Sequence, residues 1–265
     1  MCILFVAAAG EIVHPKTQVD TDPILPILYL ITPTYYRLSQ IPDLTRLANT
    51  LAHVKKAHWI VVEDAYHESQ RVLALLNQSS ITYTYLTKRE SKKARASNLK
   101  GVSQRNAGIE WIRQHHIPTV DGVFYFADDD NTYSLELFEE MRKTRKVSIW
   151  PVGFAGGRAV ETPKVENGKV VGFSAWSPER EFAVDMAGFA LNVKVLFDHP
   201  NMKFSYNTEN SFQETEFLQQ CCTRDDLEPL ADECTKILVW HTRTENPDMG
   251  FVKPQDVKHL MKFYA

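Results

Sequence analysis

Apolar and polar positions alternate in two rhythms along the first half of the chain. Ile27-Leu28-Tyr29-Leu30-Ile31 is an unbroken apolar run, as expected of a strand covered on both faces, and it breaks at Thr32-Pro33-Thr34. Leu44, Leu47, Ala48 and Leu51 then recur at i, i+3, i+4 and i+7, which marks one face of a helix. Trp59-Ile60-Val61-Val62 is a second buried run and ends on Glu63-Asp64. Strand, helix and strand in that order predict a right-handed βαβ crossover. The alternation continues with a helix over 71–77, a strand over 81–86, a basic polar loop at 91–95 and a helix over about 102–114. A third apolar strand, Val123-Phe124-Tyr125-Phe126, runs into Asp128-Asp129-Asp130.

The second half has a different texture. Leu135, Phe138 and Met141 suit a helix, and 147–152 suits a strand. Asn167-Gly168 between Val165 and Val170 is a hairpin signal. A helix carrying Glu214, Phe217 and Leu218 precedes a last strand, Ile237-Leu238-Val239-Trp240. The pattern predicts an α/β fold, parallel in its first half and mixed in its second, around one continuous sheet with no linker.

Composition narrows this by exclusion. With 265 residues, 44% hydrophobic and 24% charged, the chain fits one large α/β domain. A net charge of −3 lacks the basic surplus of a nucleic-acid binder. The four cysteines, Cys2, Cys221, Cys222 and Cys234, form no Cys-x-x-Cys pair, which argues against a zinc ribbon or a disulfide scaffold. Cys221-Cys222 reads as two buried thiols in a helical stretch, and Cys234 is left open between thiol and disulfide. Met1–Ala9 is almost wholly apolar, yet shorter than the ~20 residues of a bilayer span. It also lacks the basic start of a signal peptide. Asn77-Gln78-Ser79 matches a glycosylation sequon.

The candidate chemistry centres on Asp128-Asp129-Asp130. Open α/β sheets bind ligands at the carboxyl ends of their strands, where this triplet lies. Three adjacent carboxylates repel one another, and a hard divalent cation such as Mg²⁺ or Mn²⁺ relieves that repulsion while leaving positions for phosphate oxygens. In an extended segment Asp128 and Asp130 share one side and Asp129 faces the other. After the last strand, alternation puts His241 and Arg243 on one face, where they could clamp an anion. Arg105 and the basic stretch Lys92-Lys93-Ala94-Arg95 offer further cations. Glu161, Asp185, Glu214 and Glu216 all remain open as general bases. Gly156-Gly157 reads as a turn, and no P-loop or GxGxxG motif is present.

Several longer motifs resemble those of the animal β-1,3-glucuronosyltransferases, in that family's order. They are Leu30 to Tyr35, Val62 to Ala65, Phe126 to Tyr133, Asp185 to Ala190 and Val239 to Glu245. The resemblance implies a GT-A type fold, with UDP-glucuronate as donor, Mn²⁺ as cofactor and inverting transfer to a terminal galactose. It implies a metal ligand at Asp130, and donor-sugar and ribose contacts at Asp128 and Asp129. Pro33, Tyr35 and Asp64 match the uridine pocket; Lys100, Arg105, His241 and Arg243 match the cations of the donor site. Glu214 matches the catalytic base, and Glu161, Trp176, Arg180 and Asp185 match the acceptor site.

Trp176 also resembles the branch that builds the proteoglycan linkage region, with acceptor Gal-β1,3-Gal-β1,4-Xyl. A lactosamine-type glycoprotein acceptor and an inactive glycan-binding member are the alternatives. The resemblance further implies residues 1–22 as a lead or anchor remnant and 23–265 as one catalytic domain. Within it, about 23–150 would form the UDP-binding half and about 151–250 the acceptor half. A homodimer and a type II Golgi membrane location are implied too. Lys100 stands where the family usually has Arg, which loses a bidentate fork. Asn210 replaces a diphosphate-contacting Arg, and 251–265 shows no clear match to the family's tail.

Overall fold

The computed structural model describes residues 25–96, 99–209 and 211–245. Its first half follows the apolar rhythm closely: β1 (Ile27–Thr34), α1 (Gln40–Leu51), β2 (Ala57–Glu63), α2 (Gln70–Gln78), β3 (Thr82–Thr87), α3 (Lys92–Ala96), α4 (Val102–His115) and β4 (Gly122–Phe126). β5 (Thr132–Tyr133), α5 (Leu135–Met141), β6 (Val147–Ile149), β7 (Val152–Gly153), β8 (Val160–Glu166) and β9 (Lys169–Ser174) follow. The last elements are β10 (Phe189–Asn192), α6 (Lys194–Asp198), α7 (Gln213–Leu218), β11 (Leu227–Pro229) and β12 (Val239–Trp240).

β1 to β4 are mutually parallel, in the spatial order β4-β1-β2-β3, and their residues alternate between two apolar layers. Ile31, Ile60, Val62, Phe124 and Phe126 pack with Val102, Ile109 and Ile112 of α4. Leu28, Leu30, Trp59, Val61 and Tyr125 pack with Leu44, Leu47 and Leu51 of α1 on the other face. Both faces are therefore covered, which explains the unbroken apolar runs. α4 comes so close that a Cβ on Gly108 would sit 2.6 Å from Ile31 Cγ2.

The chain departs from expectation in four places. The single continuous sheet is two: a seven-stranded sheet, β11-β6-β10-β4-β1-β2-β3, and a five-stranded sheet, β5-β12-β7-β8-β9. The expected strand over 147–152 is accordingly divided between them. Trp150 donates its backbone N–H to Gly188 O at 3.0 Å, and Pro151 has no N–H to continue a ladder, so the chain crosses from one sheet to the other there. The basic stretch at 91–95 is mostly the short helix α3, started by Ser91 Oγ, which accepts from Ala94 N at 3.0 Å. The last strand is confined to Val239–Trp240.

Asn167 and Gly168 form the expected β8–β9 turn, both with positive φ, as a two-residue type I′ hairpin turn requires. Cys221 and Cys222 lie just beyond α7, not inside a helix, and with Cys234 they are buried free thiols. Cys234 ends a left-handed turn in which Ala231, Asp232, Glu233 and Cys234 all have φ between 51° and 60°. No helix among the described residues is long and apolar enough to cross a membrane. Met1–Ala9, Cys2, Asn210 and 251–265 lie outside the described residues.

Candidate active site

β1 pairs with β2 on one side and β4 on the other, so successive chain connections leave in opposite directions at this edge. A crevice at such a switch point is where open α/β sheets bind ligands. Pro33 lies near the end of β1, with Tyr35 just beyond it, Asp64 beyond β2 and the acidic triplet beyond β4. Asp64 is fixed firmly. Its N–H donates to Thr34 O at 2.8 Å, and its carboxylate accepts from Glu90 N at 2.9 Å and pairs with Arg89 at 3.2 Å and Arg95 at 3.1 Å. Tyr35 is exposed, with the Arg37 guanidinium 4.8 Å from its ring centroid.

The acidic triplet turns instead of staying extended, so strict alternation does not place its side chains. Their environments nevertheless differ. Asp128 Oδ1 accepts from Arg105 Nη2 at 2.8 Å; Arg105 also donates to Lys100 O at 3.0 Å, while the Lys100 side chain is exposed. Asp129 is buried, with Oδ1 accepting from Arg37 Nη2 and Oδ2 from Thr34 Oγ1, each at 2.7 Å. Burial outweighs these partners and pushes its carboxyl up to about 6. Asp130 has no hydrogen-bond or ion-pair partner for its carboxylate among the described residues. Burial and the neighbouring Asp128 charge raise its pKa.

That unpartnered carboxylate fits a hard divalent cation. No group of three His, Cys, Asp or Glu side chains converges on a metal position among the described residues. A cation at Asp130 would therefore draw most of its ligands from bound phosphate and water, a donor set suited to Mg²⁺ or Mn²⁺.

Beyond the triplet opens a cavity of about 890 Å³. It gathers Glu161, Trp176, Arg180, Asp185, Glu214, His241 and Arg243 from five separate stretches of chain. Pro33, Tyr35 and Asp64 lie apart from it along the crevice. His241 and Arg243 reach it although β12 ends before them. The segment holding them is fastened by Thr242 Oγ1, which donates to Asp130 O at 2.6 Å, and by Thr244 Oγ1, which donates to Asp43 at 2.5 Å.

Inside the cavity the carboxyls are held in different ways. Glu161 Oε1 accepts from Trp176 N at 2.7 Å, and burial raises its pKa. Asp185 Oδ1 caps the turn at Met186–Gly188 by accepting from Ala187 N at 2.9 Å. Its other oxygen lies 3.2 Å from His241 Nδ1 and favours the imidazolium. Arg180 donates to Trp176 O at 2.9 Å and Ser211 O at 2.5 Å, with its guanidinium 5.2 Å from the Trp176 ring centroid. Glu214 sits in the first turn of α7. Burial first, and then the Asp185 charge, push it up to about 7 against the pull of Arg105 and Arg180.

α7 itself is anchored by aromatic packing. Phe217 stacks on Phe204 with centroids 4.1 Å apart, and Phe126 meets both rings edge-on. The strand that delivers the acidic triplet thus also anchors the helix that delivers Glu214.

The profile of glycosyltransferase family 43 matches residues 47–245. The chain belongs to that family. Curated relatives agree over nearly all of its length. Galactosylgalactosylxylosylprotein 3-beta-glucuronosyltransferase 2 of Canis lupus familiaris is 48% identical over 242 residues, covering 89% of this chain and 74% of that protein. The Homo sapiens protein of the same name is 49% identical, covering 85% and 72%. Homo sapiens galactosylgalactosylxylosylprotein 3-beta-glucuronosyltransferase 3 is 46% identical, also covering 85% and 72%. Among solved structures, S. aureus TarS 1-349 superposes with a TM-score of 0.55 at 14% identity, covering 90% of this chain and 64% of that one. The same TarS segment in complex with UDP-GlcNAc gives 0.53. The family 43 chain thus has an α/β fold of the GT-A type.

Several contacts of the site escaped the sequence reading. Arg37 and Thr34 hold Asp129, Asp43 receives both Arg37 and Thr244, and Phe154 lines the cavity. Arg37 follows the Tyr35 motif by two residues, but nothing in sequence shows a cation reaching residues 92 positions away.

Proposed function

We propose that this chain transfers glucuronate from UDP-glucuronate to the 3-hydroxyl of a terminal galactose with inversion, on a Gal-β1,3-Gal-β1,4-Xyl acceptor. The names of its relatives support the donor sugar, the linkage position and the acceptor class. The observation that carries the chemistry is Glu214. It is a carboxyl poised at about 7, in one cavity with Glu161, Trp176, Arg180, Asp185, His241 and Arg243. A base is most effective when its pKa lies near the working pH.

In this reading the uracil and ribose lie along Pro33, Tyr35 and Asp64, with Asp128 and Asp129 toward the ribose and donor sugar. Lys100, Arg105, His241 and Arg243 receive the diphosphate and the glucuronate carboxylate. Glu161, Asp185 and Arg180 take acceptor hydroxyls, and the Trp176 ring takes its apolar face. Glu214 accepts the proton of the acceptor 3-hydroxyl as that oxygen bonds to the anomeric carbon. The bond from that carbon to the phosphate oxygen breaks, and the electron pair leaves with UDP. One base and one displacement invert the anomeric centre. Charge growing on the leaving phosphate is met by His241, whose protonated form the neighbouring Asp185 favours, and by Arg243. Asp130 would hold Mn²⁺ against the donor diphosphate, where a divalent ion supplies Lewis-acid stabilisation of the leaving group.

The test is UDP release from UDP-glucuronate with a Gal-β1,3-Gal acceptor, with and without Mn²⁺. Glu214→Ala is expected to keep UDP binding and lose transfer, and Asp130→Ala to lose metal-dependent UDP binding. Normal turnover by Glu214→Ala overturns the base assignment. Action in the Golgi lumen as a homodimer belongs to the same proposal and is read by cell fractionation and sedimentation.

A further inference from the structure

Phe154 combines two features that no other described non-glycine residue of the cavity wall has together. The residue is 61% exposed, although its side chain is large and apolar. Its backbone is left-handed, with φ 61°, a region unfavourable for a bulky residue. A ring left in water does nothing to offset that strain, and strained conformations of this kind concentrate at ligand sites.

The surrounding backbone places the ring. Phe154 N donates to Ala159 O at 2.8 Å, closing a turn that contains Gly156 and Gly157. Just before it, Gly153 O accepts from His241 N at 2.8 Å. Just after it, Gly156 is pressed against the other end of the cavity. A Cβ there would lie 1.9 Å from Glu161 Oε1 and 3.1 Å from Trp176 Cβ. Phe154 therefore stands at the seam between the His241 segment and Trp176, itself 46% exposed in the same cavity.

We propose that Phe154 is an acceptor-binding residue, whose ring forms with Trp176 a two-sided apolar cradle for the pyranose rings of the saccharide. A β-galactopyranoside suits it, because its axial 4-hydroxyl leaves the hydrogens of C3, C4 and C5 on one face as an apolar patch. Laying that patch on an exposed ring removes both surfaces from water. Two aromatic walls fix the plane of the sugar, and the rim carboxylates fix its rotation. The inference rests on the transferase reading of this cavity and adds a contact to it.

The test compares Phe154→Gly, Phe154→Leu and Phe154→Trp with the parent chain. Glycine accepts a φ of 61° without strain, so Phe154→Gly removes the ring and is expected to melt no lower than the parent. If it melts lower, Phe154→Leu carries the comparison. Binding of Gal-β1,3-Gal in the presence of UDP is followed by tryptophan fluorescence, to which the half-exposed Trp176 responds. UDP release is measured against acceptor and donor concentration separately.

The expected result is a roughly tenfold loss of saccharide affinity and a matching rise in acceptor KM for the glycine and leucine variants. Donor KM and kcat should stay within about twofold, and Phe154→Trp should restore binding. Parent-like binding by Phe154→Gly overturns the proposal, as does a rise in donor KM alone or no saccharide binding by the parent. If the parent binds Gal-β1,3-Gal through Phe154 yet releases no UDP, the transferase reading falls and the aromatic cradle stands.

Discussion

As the proposed base, Glu214 would serve chemistry at the expense of stability. A base must be ionised to accept a proton, so the rate of UDP release is expected to rise with pH through about 7 and level off above it. A pH profile at saturating substrate checks this. The same shift has a stability sign. A carboxyl whose pKa stands at about 7 in the fold, against 4.5 as its ordinary value, binds its proton more tightly when folded. Below about pH 4.5 both states are protonated and the group is neutral in the balance. From there to about 7 the folded state loses ground, and above 7 the full penalty applies. Glu214→Gln is therefore expected to be more stable than the parent at pH 8, by about 1–3 kcal/mol, and equal to it at pH 4. Chemical denaturation at the two pH values measures this, and transfer activity should fall at least about a hundredfold.

Among the elements, the turn ending at Cys234 is the least expected. Four consecutive non-glycine residues adopt left-handed φ there, each costing about 1 kcal/mol. Ala231 and Cys234 are buried, whereas Asp232 and Glu233 face solvent. Asp232→Gly is thus expected to raise the melting temperature, because glycine carries no Cβ penalty at φ 57°. A fall would show that its side chain matters more than its backbone.

Such a turn has no sequence signal, since Ala-Asp-Glu-Cys reads as ordinary helix. β1, β2 and β4 were legible because burial on both faces writes an unbroken apolar run, and α1 because its apolar face repeats with helical period. The strand over 147–152 misled because Val147, Ile149 and Val152 are all apolar, whichever sheet receives them. Different ladder partners, β10 and β11 for Val147–Ile149 but β8 and β12 for Val152–Gly153, distinguish two short strands from one.

On the scale of the whole molecule, the site is assembled from distant pieces. The resemblance named its residues one by one, but their convergence depends on contacts no local pattern encodes, such as Arg37 on Asp129 and Thr244 on Asp43. A ligand that bridges these pieces should stabilise the whole fold. UDP with Mn²⁺, each well above its dissociation constant, is expected to add about 2–4 kcal/mol to unfolding stability, and Mn²⁺ alone far less. Thermal shift with each ligand separately and together is the measurement. An equal shift with Mn²⁺ alone would contradict a metal held largely by the donor phosphates.

The fastening of Thr244 to Asp43, 201 residues earlier, also sets an order of events. On the ribosome, α1 and the acidic turn after β4 emerge long before the segment carrying His241 and Arg243 exists. Docking of Thr242 on Asp130 O and of Thr244 on Asp43, with the His241 N–H on Gly153 O, holds those two side chains at the cavity. In the proposed reaction, a nascent chain would therefore acquire last the groups that meet the departing UDP.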